Sequence, residues 1–100
     1  MTVKEMFENK YREKMKNITE REWKRVQETA AHLNVPVDRV ILCGFEITEK
    51  EFYNNGIYYQ GGELEALHKL KCIASNRHRQ EHGHITVYWL TVKGYKQLFN

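Results

Sequence analysis

No apolar stretch in this sequence approaches the ~20 residues that a bilayer-spanning helix requires. The opening residues, MTVKEMFENKYREK, carry a charge every few positions where a secretory signal would carry an apolar core. A cytoplasmic protein without a membrane partner is the expectation. Cysteine is scarce: Cys43 and Cys72 are the only two, far apart and without CxxC spacing. Both have apolar neighbours (Ile41 and Leu42; Leu70 and Ile73), which favours two buried free thiols over a bridge. Catalytic signatures are missing as well. There is no G-x-S-x-G, no phosphate-cradling G-x-x-x-x-G-K and no recognisable Cys/His arrangement. The carboxylate pairs Glu20/Glu22 and Glu49/Glu51 fit helix starts, where negative charge meets the positive end of the helix dipole. The chain reads as a non-enzyme with no cofactor.

What is present suffices for one small domain over residues 1–100. Hydrophobic residues make up 41% and aromatics 12%, enough for a single core in an ordered chain. The formal charge of +3 is laid out unevenly. Residues 10–25 carry seven basic and three acidic side chains, residues 26–67 two basic and seven acidic, and residues 68–84 four basic and one acidic. A chain basic on both flanks and acidic in the middle presents an oriented electrostatic surface.

Three segments open alike. Thr2-Val-Lys-Glu5, Thr19-Glu-Arg-Glu22 and Thr48-Glu-Lys-Glu51 each set a threonine three residues before a glutamate, the capping-box signature of a helix start. The first predicts a helix over about 3–16 with an apolar stripe of Val3, Met6, Phe7, Tyr11 and Met15. The second predicts one over 20–33, with Trp23, Val26, Ala30 and Leu33 on one face, ended by Asn34 to Pro36. The run Val40 to Cys43 fits either a strand or a buried helical turn. The third capped helix, Glu49 to Tyr53, stops at the turn signal Asn54-Asn55-Gly56. A fourth helix follows Gly61-Gly62, with Leu64, Leu67 and Leu70 inward and Glu63, Glu65, His68, Lys69 and Lys71 outward. The period then changes. Ile73 to Arg79 and His84 to Leu90 are two extended runs, the second rich in β-branched and aromatic residues. They form a hairpin whose tip is SNRHRQEHGH, and Thr91 caps a last helix, Val92 to Phe99. Trp23 and Trp89 take inward-facing positions.

The order helix, short helix, helix, β-hairpin, short helix resembles the winged-helix DNA-binding domain. The similarity is closest over the C-terminal third, LEALHKLKCIASNRHRQEHGHITVYWLTVKGYKQL. This stretch is similar to the recognition-helix end, wing and following turn of bacterial regulators of the MarR and PadR kinds. Leu64 and Leu67 match the paired leucines of that helix, and Ile73 the residue that opens the wing. Tyr88, Leu90, Thr91, Lys93 and Gly94 match the Y-x-L-T-x-K-G that closes it. The chain departs from the pattern at Lys71 and Cys72, where the family usually has glycine. It departs again in the short helix at 48–53, at Gly61-Gly62, and at Glu63 and Glu65, which are acidic where the helix would meet phosphates. The resemblance implies an α+β fold, a winged helix-turn-helix of residues 18–100 with an extra N-terminal helix at 1–17. It also implies a transcriptional regulator or accessory protein that binds double-stranded DNA, as a homodimer if the N-terminal helix packs across a twofold axis. Folding of that helix onto its own domain is the other option.

On a strand, side chains alternate faces, so Arg77 and Arg79 share one face and His78 takes the other. On a wing, these three would meet phosphates or a narrow minor groove, with Lys69 and Lys71 on the adjoining helix. A solvated strand face is the plainer alternative. Tyr58, Tyr59 and Gln60 precede the double glycine and suit contacts to bases, or else the tyrosines pack on the core. The spacing of His78, His82 and His84 raises the question of a metal. Zinc sites recruit thiolates or a ligand from a separate element, and neither cysteine is near, so solvated histidines and no metal are expected. The first helix's other face, with Lys4, Lys10, Arg12, Lys14 and Lys16, suits phosphate tracking. A second function class stays open: a protein-interaction module, such as a phage or mobile-element protein engaging a host complex. Its surface would be Glu46, Glu49, Glu51, Glu63 and Glu65.

Overall fold

The computed structural model covers residues 1–100. The chain runs α1 (Val3–Asn17), α2 (Glu20–Leu33), α3 (Val37–Leu42), β1 (Ile47–Thr48), α4 (Glu49–Asn54), α5 (Glu63–Lys69), β2 (Ile73–Gln80), β3 (Gly83–Leu90) and α6 (Val92–Phe99). Threonine opens four of these helices. Thr2, Thr19, Thr48 and Thr91 each accept a hydrogen bond from the backbone amide three residues on, at 3.0–3.1 Å, satisfying a first-turn donor that has no helical partner. At α1 the box is complete, because the Glu5 carboxylate accepts from the Thr2 amide at 3.0 Å. That bond holds Glu5 below the usual carboxylate range. The open segment at 40–43 is helical: Val40, Ile41 and Leu42 close α3, with Pro36 at its start and Cys43 at its end. A two-residue strand follows, too short to leave a periodic signal.

The three strands are antiparallel in the order β1-β3-β2. The register pairs Ile73 with Leu90, Ser75 with Tyr88, Arg77 with Thr86 and Arg79 with His84, so these eight side chains share one face. That face begins in the core, where Ile73 and Leu90 are fully buried, and runs out into solvent at Arg77 and Arg79. Six helices and this sheet make an α+β fold, and no helix is long and apolar enough to cross a membrane.

The core gathers Val3, Met6 and Phe7 of α1 with Leu42, Ile47, Phe52, Leu64, Ile73, Tyr88, Leu90 and Tyr95, among others. Phe52 sits between Phe7 and Tyr88, with ring centroids at 6.5 and 5.9 Å. This differs from a core that starts at residue 18. The first helix contributes Val3, Met6 and Phe7 to it, so the N-terminal half of its apolar stripe is covered by its own chain, while Tyr11 and Met15 are half-buried. The second helix is the peripheral one. It packs chiefly on α3, buries only Ala30 and leaves Leu33 exposed.

Two further expectations fail for geometric reasons. Leu70 is 55% exposed, because at 100° per residue it lies about 120° around the helix from Leu64. Trp89 is half-buried, on the face opposite Tyr88 and Leu90. Both cysteines are free, Cys72 buried and Cys43 half-buried. Burial pushes the Cys43 thiol up.

The join between α5 and β2 constrains two positions, Lys71 and Gly94. Lys71 has φ +62°. The Cys72 amide bonds to the Leu67 carbonyl at 2.9 Å and the Lys71 amide to the His68 carbonyl at 3.0 Å, the Schellman pattern that ends a helix with a left-handed residue. Glycine would adopt this geometry without the Cβ penalty that Lys71 carries. Gly94 has no such latitude. A Cβ on it would lie 1.9 Å from the Cys72 carbonyl oxygen. Thr91 reinforces this contact, its hydroxyl lying within 2.6 Å of the Lys71 carbonyl and 3.0 Å of the Cys72 carbonyl.

Candidate nucleic-acid interface

The hairpin carries the candidate residues outward from a firmly held root. Ser75 Oγ lies 3.0 Å from His68 Nε2, and Tyr59 Oη lies 2.8 Å from His68 Nδ1. Tyr59 stacks on Tyr88 with centroids 6.0 Å apart, and the Tyr88 hydroxyl donates to Glu49 Oε1 at 3.2 Å. Burial, then the Glu49 carboxylate, pushes the Tyr88 phenol well above its ordinary range. Helix α5, strand β2 and the loop before α5 are thereby tied at one point. His68, expected outward, is the centre of this cluster. The signal lay in helical spacing: four residues after Leu64 places it beside the inward stripe, not opposite it.

Beyond Ser75 the same row reaches Arg77 and Arg79, both exposed. Neither guanidinium takes part in either of the chain's two ion pairs, Lys10–Glu51 and Lys14–Glu22. His84 is paired with Arg79 on the same face. His78 pairs with Ile85 on the opposite face. The register thus separates His78 from His84, and no three potential metal ligands come together anywhere in the chain. Lys69 and Lys71 are exposed at the root, beside β2.

The other candidates divide. Tyr59 is held by His68 and Tyr88, so its hydroxyl and one ring face serve the fold, not an incoming base. Tyr58 and Gln60 are exposed. The double glycine lies before α5, not within it. Gly61 has φ +72°, and a Cβ on Gly62 would approach the Tyr58 carbonyl oxygen to 2.5 Å. The acidic residues at the start of α5 also have structural partners. Glu63 accepts from the Val3 amide at 2.7 Å, joining α5 to the start of α1, and Glu65 accepts from the Gly61 amide at 3.1 Å.

On the first helix, Lys10 is paired with Glu51 at 2.8 Å and Lys14 with Glu22, which holds Glu22 below the usual carboxylate range. Lys4 sits over the Phe99 ring at 5.8 Å. Arg12 donates to the Asn9 side-chain oxygen, so four of the five cations on that face have partners within the chain.

Comparison with protein-family models finds no match, and comparisons with curated proteins and with solved structures find none either.

Proposed function

We propose that this chain is a winged-helix protein that binds double-stranded DNA through its hairpin, acting as a transcriptional regulator or accessory factor. The observation that carries this reading is the row Arg77, Arg79 and His84: one exposed face, no internal acidic partner, and a position beyond the end of the core. The topology supports it. Helix α3, strand β1, helices α4 and α5 and then the β2–β3 hairpin, with strands ordered β1-β3-β2, follow the element order this reading expects, with α5 as the helix before the wing. In this reading α1 and α2 are both additions to the winged-helix core. The wing arginines contact phosphates or enter a narrow minor groove, and Lys69 and Lys71 meet the adjoining backbone. Helix α5 contributes less than a recognition helix normally does, because Glu63 and Glu65 stand in its first turn. Homodimer formation draws no support from Val3, Met6 and Phe7 of α1, which are inside the core.

Anisotropy titrations of labelled random-sequence duplex at several salt concentrations test the proposal. Native protein is expected to bind with a steep salt slope. In Arg77→Ala/Arg79→Ala, binding weakens and the slope of log K against log salt falls by roughly 2, one counterion for each lost phosphate contact. An unchanged slope, or no binding at low salt, sinks this reading.

A further inference from the structure

A second surface lies at the α4–α5 junction. Tyr53 and Tyr58 are 62% and 55% exposed, and their rings meet edge to face with centroids 5.0 Å apart at 84°. Between them in the chain, Gly56 turns with φ +79° and Ile57 is buried in the core, so the two rings project from an anchored loop. They line a groove of ~420 Å³ together with Ile57, Tyr59, Gln60, Glu49 and Glu65. Each carboxylate uses one oxygen internally, Glu49 for the Tyr88 hydroxyl and Glu65 for the Gly61 amide. Neither belongs to an ion pair, the nearby Lys10 being engaged by Glu51. The groove therefore combines two exposed tyrosine rings, two negative charges and no cation of its own.

We propose that this groove binds the cationic side chain, arginine or lysine, of a basic protein segment. A guanidinium or ammonium is attracted to the negative face of a tyrosine ring, and the carboxylates add charge complementarity that steers a basic partner. The same charges repel phosphates, so a nucleic acid is the wrong occupant. This inference stands apart from the hairpin and does not depend on its binding DNA.

The test is a ¹⁵N NMR and anisotropy titration of the full chain at low salt. The probes are a fluorescein-labelled peptide alternating arginine and glycine, its lysine counterpart, and a glutamine counterpart. The arginine and lysine peptides are expected to shift Tyr53, Tyr58 and Gln60, and the glutamine peptide is not. Tyr53→Ala/Tyr58→Ala weakens binding about tenfold, the combined effect of two exposed cation–π contacts. Glu49→Gln and Glu65→Gln, which keep the internal acceptor oxygens, weaken it severalfold, while Arg77→Ala/Arg79→Ala leaves it unchanged. The proposal is overturned by equal binding of the glutamine peptide, or by tyrosine variants that bind as the native chain does. It is equally overturned if a thymidine oligonucleotide shifts the same residues at lower concentration. Shifts there that grow with protein concentration alone also overturn it, in favour of a second copy's hairpin.

Discussion

Ser75 and Arg77 stand two positions apart on one face of one strand, yet they belong to different kinds of structure. At Ser75 the neighbours are His68, Tyr59 and Tyr88, each hydroxyl or ring nitrogen with a partner inside the chain. At Arg77 and Arg79 the side chains make no internal hydrogen bond or ion pair, and the facing residues are Thr86 and His84. The root of the hairpin is where the fold is held. The tip is where nothing in the fold has a claim on the charge. Substitutions at the two ends should accordingly act on different observables.

The largest effect belongs to Gly94→Ala, at the root. Its Cβ would collide with the Cys72 carbonyl at 1.9 Å, and a rigid backbone contact of that kind should lower stability by about 3 kcal/mol or more in a urea melt. A mild loss would mean that α6 is free to shift and the root is less fixed than described. Tyr88→Phe comes next. Losing the bond to Glu49 should lower stability by about 1 kcal/mol at neutral pH. The pH dependence sharpens this. Because the folded phenol holds its proton above the ordinary value of 10.0, its contribution is complete below about pH 10 and is lost as pH rises past it. Melts of the phenylalanine variant should show a smaller decline on that alkaline limb than the native chain does.

Lys71→Gly should act in the other direction. Relief of the left-handed lysine at φ +62° is expected to stabilise the fold by about 0.5–1 kcal/mol, while removing one positive charge beside the hairpin. Smallest of all is the effect of Arg77→Ala/Arg79→Ala on stability, within about 0.5 kcal/mol of native. A larger loss there would erase the distinction between root and tip.

The helix starts and the hairpin were legible because their signals are local. Thr2, Thr19, Thr48 and Thr91 act within one turn, and the β-branched run after His84 holds its period over the whole strand. Which helix enters the core was not legible. The stripes Val3-Met6-Phe7 and Trp23-Val26-Ala30 have the same form, and the choice between them is made by elements far along the chain, such as Phe52 and Leu64. Strand β1 leaves no pattern in two residues. The shared face of Arg77 and Arg79 follows from strand alternation, so it could be read in advance. The groove beside Tyr53 and Tyr58 could not, because it depends on a turn at Gly56 and a helix start at Gly62 bringing separate segments together.

Strand β2 is the outermost of its sheet, and at its midpoint the Arg77 amide is met at 2.8 Å by the side chain of the preceding Asn76. An exposed edge of eight residues is ordinarily a template on which another copy's strand can add. Here one of its amides is answered from within, and two guanidiniums flank it. At high concentration this protein should resist the edge-to-edge stacking that begins fibrils, so its projecting hairpin can be long without making the solution unstable.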